Sequence, residues 1–341
     1  MNIAKYFLLM GCLSLGVTYS LSLCAAPASK SSVKSTDLTG SVDNDCYQPY
    51  NQMVNIQGGN WERIFNSCLT YAKKGQPRAE FITGLLYGYG FGTEQNFMLS
   101  AHWLEKALQH DYLPASYYLG MLYVEGNGVA QDYEVAFKYF SDSAKQGSPN
   151  DQYALSQMYA NDLGVKPNTN EYIKWLEAAA NNKQENAVYE LGMLYYSGKL
   201  VPQNYQKAYN LLTISAEHKH YPAIFAIGMM HLRGQGVPLD KRKAVELIND
   251  AARHNYNYAQ YQLGYMYENA IAVGKNISAA KLWYSLACND HLEIACTSFQ
   301  ALELQAGAKA SKTAPKKTEQ STKKTNNSTN NETSPVIVPK K

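Results

Sequence analysis

Few residues of this chain have the type and spacing to do chemistry. Seven histidines invite a metal or acid–base site, and three of them, His110, His218 and His254, stand at multiples of 36 residues from one another. A fixed spacing of that size puts equivalent residues on successive structural units about 10 Å apart, too far for three imidazoles to share an ion. His218 and His220 form a two-ligand fragment that no neighbouring cysteine or carboxylate completes. Six cysteines are present without any C-x-x-C spacing, which argues against a thiolate metal site. The S-x-x-K matches at Ser31 to Lys34 and Ser321 to Lys324 fall in polar end segments, and S-D-N and K-T-G are absent, also for the third match at Ser278 to Lys281, so the motif set of a serine acyl-enzyme is not assembled. Gly126 and Gly128 begin a G-x-G-x-x-G phosphate loop, but Gln131 stands where the third glycine belongs. No catalytic constellation, cofactor or metal is therefore expected.

The double glycine has another meaning, because the stretch around it recurs. Stepping by 36 residues through Gly120 meets Gly84, Ser156, Gly192, Gly228 and Gly264. Three residues before each lies a ring (Phe81, Tyr117, Tyr153, Tyr189, Phe225, Tyr261), and three after come Tyr87, Tyr123, Tyr159, Tyr195, His231 and Tyr267. Such spacing places them on one helical face. After the glycine loop come Asn96, Asp132, Asn168, Asn204, Asp240 and Asn276, all good N-cap types for a second helix. Each unit thus reads as helix, glycine joint, helix, short turn. The small residue lets the two helices approach closely, and Gly126 with Gly128 ends the first and bends the chain into the second. The His110 column falls at the end of the second helix, where an imidazole can bond loose carbonyls. The third and sixth copies depart most, with Asp151, Ser156 and Asp162 in one and Ala270 and Ala272 in the other, so distorted joints are expected there.

Ala115, Leu119, Gly120, Tyr123, Gly126, Gly128, Val129, Asp132, Ala136 and Tyr139 together resemble the Sel-1-like repeat, a relative of the tetratricopeptide repeat. That resemblance implies an all-α, right-handed α-solenoid with the first helices on its concave side. At about 10 Å per repeat it would be roughly 60 to 70 Å long. It further implies a protein-binding scaffold or regulator in a bacterial envelope, or a secreted factor that engages a host cell. The alternative it raises is an enzyme or enzyme inhibitor acting on cell-wall peptidoglycan or β-lactams.

The ends have different compositions. Residues 1–28, with Lys5, an apolar run and "AAPA", have the layout of a signal peptide cleaved on export, to give a periplasmic or secreted protein. Residues 29–41 read as a linker, 42–77 as a degenerate capping repeat, 78–291 as six repeats, 292–305 as a capping helix and 306–341 as a disordered tail. Eight lysines against two glutamates make that tail +6, so the overall +3 leaves −3 for everything before it. The basicity suits weak contact of the tail with anionic surfaces and no specific nucleic-acid site. Of the three pairings open to Cys46, Cys68, Cys288 and Cys296, repeat register favours Cys46 with Cys68 and Cys288 with Cys296, one disulfide stapling each end of a monomer.

What remains is a surface. The first-helix columns that vary between copies are candidates for recognising a partner protein: Tyr118, Met121 and Glu125; Gln157 and Asn161; Glu190 and Met193; Met229 and Arg233; Gln262 and Tyr265. The middle column, with its methionines, is expected to form an apolar row on the concave face.

Overall fold

The computed structural model describes Cys46 and residues 61–313. The expected leader, the linker, most of the first half of the capping repeat and the tail beyond residue 313 lie outside these. Among the described residues there are fourteen helices and no strand, an all-α solenoid. An entry helix α1 (Trp61–Ala72) precedes six pairs: α2 (Pro77–Tyr89) with α3 (Phe97–Gln109), α4 (Ala115–Glu125) with α5 (Tyr133–Lys145), and α6 (Pro149–Asn161) with α7 (Thr169–Asn181). There follow α8 (Glu185–Ser197) with α9 (Tyr205–Glu217), α10 (Tyr221–Arg233) with α11 (Lys241–Arg253), and α12 (Asn257–Asn269) with α13 (Ile277–Asn289). Each helix packs on the one before and the one after it, so the core is a chain of local clusters.

The joint is built the same way in each pair. The first helix ends in a left-handed residue, for example Gly126 at φ 73°, and Asp132 then donates its backbone N–H to the Tyr123 carbonyl at 2.9 Å. All six Asn or Asp N-caps accept from a backbone N–H in the first turn of the second helix. Gly128 is needed twice over: its φ is 70°, and a Cβ there would lie 2.3 Å from the Phe97 carbonyl carbon of the preceding repeat. The small column does what its residue type suggests, since a Cβ on Gly120 would meet the Phe140 ring at 2.4 Å.

The sixth joint is not distorted. Ala270 and Ala272 adopt the same left-handed conformation as the glycines they replace, at φ 56° and 60°. The geometry is set by the helices on either side, and the two alanines carry the strain. At the far end, α14 runs from Glu293 to Thr313 and so continues into the stretch expected to be tail. Ala306, Ala308 and Ala310 favour helix, and Lys309 and Lys312 suit its negative end. At α14 the position equivalent to the repeat glycine is Gln300, which is exposed, as is Glu303. The same helix also exposes Ile294 and Leu304, at 52 % and 75 %. Cys46 is bonded to Cys68 of α1, and Cys288 of α13 to Cys296 of α14.

One core column carries a carboxyl group. Where Ala79, Ala115, Ala187, Ala223 and Ala259 are fully buried, Asp151 is too, at 0 % exposure. Its Oδ2 accepts from Ser143 at 3.0 Å and Ser148 at 2.5 Å, while Oδ1 has no partner. Burial pushes this carboxyl up to about 7, against the two serine hydrogen bonds that pull it down.

Two predictions follow from strain and burial. Ala270→Gly and Ala272→Gly each raise stability by about 1 kcal/mol in denaturant unfolding, because glycine occupies the left-handed region without the Cβ penalty. Between pH 4 and 7 the folded state keeps a proton on Asp151 that the unfolded chain has released, so stability falls as pH rises through that window. Asp151→Asn removes this loss: its thermal midpoint exceeds the parent's at pH 8, by an amount equivalent to roughly 4 kcal/mol, and matches it near pH 4.

Candidate functional site

The first-helix face divides into three columns with different fates. In the middle column Leu85, Met121, Gln157 and Met229 are buried, with Met121 and Met229 each 8 % exposed. Met193 is half-buried, and only Tyr265, 41 % exposed, stands out. The expectation of an exposed methionine row is therefore corrected. Met121 packs with Val124, Phe140, Ala154 and Met158, and Met229 with Ile224, Ile248 and Leu263, so both fill the contact between neighbouring repeats. Gln157 is also structural, its Nε2 donating to Glu190 at 2.9 Å.

The two flanking columns stay in contact with solvent except at Ala154 and Ala226, which are buried. Tyr118, Glu190 and Gln262 are half-buried in one; Glu125 and Asn161 are half-buried and Ser197, Arg233 and Asn269 exposed in the other. Their side chains are held by neighbours. Glu190 accepts from the Tyr172 hydroxyl at 2.7 Å as well as from Gln157. Arg233 donates to the Tyr196 hydroxyl at 3.2 Å, which donates to Gln235 at 3.0 Å, and Gln235 donates to Tyr205 at 2.9 Å. Burial raises the Glu125 carboxyl above its ordinary range, and a hydrogen bond from Asn127 opposes the shift.

The ring columns turn out to be packing. Phe81 meets Tyr112 at 5.2 Å, Tyr189 meets His220 at 4.4 Å and Phe225 meets Tyr256 at 5.4 Å, each time a first-helix ring against the turn that leads into the next repeat. Burial pushes the Tyr117 hydroxyl up to about 12 and the His220 imidazole down to about 4, so both are neutral near pH 7.

His110, His218 and His254 all end second helices, as their column implied. Each finds a different neighbour. The Nδ1 of His110 lies 2.7 Å from Glu80, that of His218 lies 3.9 Å from Glu185, and His254 stacks on Tyr221 at 4.2 Å. Among the described residues no group of three His, Cys, Asp or Glu side chains is placed to hold a metal. Sequence reasoning missed the buried Glu80 under His110 and the Tyr196–Arg233–Gln235–Tyr205 chain, whose members come from different repeat columns and so leave no periodic signal.

The paired helices, capped joints and neighbour-to-neighbour core define a helical-repeat scaffold, the class of the tetratricopeptide-like solenoids. The chain belongs to the Sel1 repeat family: the repeat pattern matches residues 77–112, 113–148, 149–183, 186–220, 222–256 and 257–291. Proteins of this family are generally scaffolds for protein interaction. Among solved structures, a protective antigen of uropathogenic Escherichia coli strains displaying an SLR fold is 26 % identical, with a TM-score of 0.64 over 72 % of this chain and 52 % of that one. The chain thus spans about half the length of that antigen. A Sel1 repeat protein from Oxalobacter formigenes is 22 % identical, with a TM-score of 0.60 over 70 % of this chain and 94 % of that one, and shares the fold. No curated protein matches the chain. Two disulfides suit an oxidising compartment, and no described helix is long and apolar enough to cross a membrane.

The burial difference within one column can be tested directly. Met121→Glu and Met229→Glu place an unpaired carboxylate in a packed junction and each cost on the order of 3 kcal/mol in urea unfolding. Met193→Glu, on a half-buried side chain, costs less than about 1 kcal/mol in the same measurement.

Proposed function

We propose that this protein is an exported scaffold that binds a partner protein along the first-helix, concave face of its solenoid. The observation that carries the reading is the contrast between columns. Positions that build the frame keep one chemistry from repeat to repeat, whereas the solvent-facing positions change: Tyr118, Glu125, Asn161, Glu190, Arg233 and Gln262 in the flanking columns, with Met193 and Tyr265 of the middle column beside them. Variation of charge and polarity on a rigid, evenly spaced lattice is how a repeat protein distinguishes partners. Tyrosine and arginine are also the residue types that dominate binding energy at interfaces. The leader-like residues 1–28 and the two disulfides support a periplasmic or secreted location. A monomer is the form in which this face is open.

Affinity capture from envelope fractions, read by mass spectrometry, tests the proposal. A partner held by the parent chain is expected to be lost on combining Arg233→Glu with Tyr265→Ala, and kept with Lys138→Glu on the second-helix side. Circular dichroism establishes that all three remain folded. Equal capture by both variants would overturn the assignment to this face.

A further inference from the structure

The ring column that runs through Tyr123 is interrupted at one repeat. In five of its six copies a second ring stands 22 residues before the column residue or 16 after it, on the helix before or the helix after. Phe65 meets Tyr87 at 5.0 Å, Phe137 meets Tyr159 at 5.7 Å and Tyr209 meets His231 at 6.1 Å. Tyr139 meets Tyr123 at 5.8 Å, and Trp283 packs on the same cluster as Tyr267. Tyr195 has Ile173 and Leu211 at these two places.

The absent ring leaves a space. A cleft of about 360 Å³ lies between α7 and α9, lined by Leu191, Tyr195 and Leu211, with Glu177 and Lys207 also on its wall. One repeat earlier Trp175 stands in the place of Leu211 and packs on the same cluster as Tyr159. Two opposite charges engage the tyrosine in the ring's stead. The Tyr195 hydroxyl donates to Glu177 Oε1 at 3.2 Å, and the Lys207 ammonium lies over the ring, 5.0 Å from its centroid. Lys207 is exposed, and an ammonium on a flexible four-carbon stem leaves such a contact readily. The volume is at the lower end of the range for small-molecule sites and suits a ligand of one residue. A ligand that uses every feature of the cleft has a flat ring for the gap, an anion for Lys207 and a nitrogen donor for Glu177.

We propose that the cleft binds an aromatic amino-acid residue that carries a free carboxylate. The ligand's ring takes the place that Trp175 fills one repeat earlier and lies against Tyr195, in the offset or edge contact that the other copies of the column make internally. Lys207 moves from the tyrosine ring to the carboxylate, and Glu177 accepts from the ligand's nitrogen. That chemistry has two sources: a free aromatic amino acid, whose ammonium faces Glu177, and the C-terminal residue of a peptide, whose amide N–H does so. The cleft lies between second helices, so its occupancy is independent of a protein bound on the first-helix face.

Isothermal titration calorimetry of the full chain with four probes tests the proposal. L-Tryptophan and N-acetyl-L-tryptophan carry the carboxylate, N-acetyl-L-tryptophanamide lacks it, and L-leucine lacks the ring. The better of the two acids is expected to bind about tenfold more tightly than the amide, the effect of one contact to a charged group. L-Leucine binds several-fold more weakly than L-tryptophan. Tighter binding of L-tryptophan than of its N-acetyl form identifies the free amino acid as the source, and the reverse order or equality identifies a peptide C terminus. Leu211→Trp, which restores the ring that repeat three has at this place, abolishes binding. Lys207→Gln, on an exposed side chain, leaves the circular dichroism unchanged and removes the preference for acid over amide. No saturable heat with either acid, undiminished binding by Leu211→Trp, or equal affinity of the parent chain for acids and amide would each overturn the proposal. Partner capture by the first-helix face is unchanged in both variants, so failure of one reading leaves the other standing.

Discussion

The close approach of the two helices in each repeat is the constraint from which the other features follow. A residue without a side chain at Gly120 lets the Phe140 ring lie against the backbone of α4, and the same contact recurs with Tyr284 over Gly264 and Leu104 over Gly84. Once the pair is that tight, little room remains for the connection. The chain must reverse within a few residues, which requires left-handed backbone at the end of the first helix and an immediate N-cap for the second. Rings on the outer side of each first helix then become the surface on which the next repeat is laid. The lattice that presents the variable columns is a product of this packing rather than of any contact between those columns.

Six copies of one plan make a sequence unusually easy to read. Asn96, Asp132, Asn168, Asn204, Asp240 and Asn276 identify themselves as N-caps because each column can be compared with itself, and the two disulfides follow from register. The comparison loses power where a side chain lies between two environments. A methionine three residues after one polar position and four before another is compatible with groove or core. Which it is depends on how far the neighbouring first helix leans in, a distance of a few ångströms that no spacing encodes. It also loses power at residues unique to one repeat. Nothing periodic announces that Glu80 lies beneath His110, or that Asp151 keeps a carboxyl inside a column of alanines.

Such departures mark where this molecule differs from an idealised array. Asp151 makes one junction sensitive to protons, and Ala270 and Ala272 hold a glycine conformation without glycine. Each is tolerated because neighbours on both sides determine the local geometry. The same rigidity gives Arg233 and Glu125 a defined separation. Surface charges on flexible loops would not offer a ruler of that kind.

The two cystines sit at opposite ends of the stack, one tying α1 to the residues before it and the other tying α13 to α14. In an array held only by contacts between neighbours, the outermost units ordinarily fray first, since each lacks half its partners. Covalent closure removes that route. Separation under heat or load is then favoured inside the array, and above pH 7, where the buried Asp151 carboxyl loses its proton, the junction that holds it is the weakened seam. The protein would part into two folded segments there instead of peeling inward from its tips.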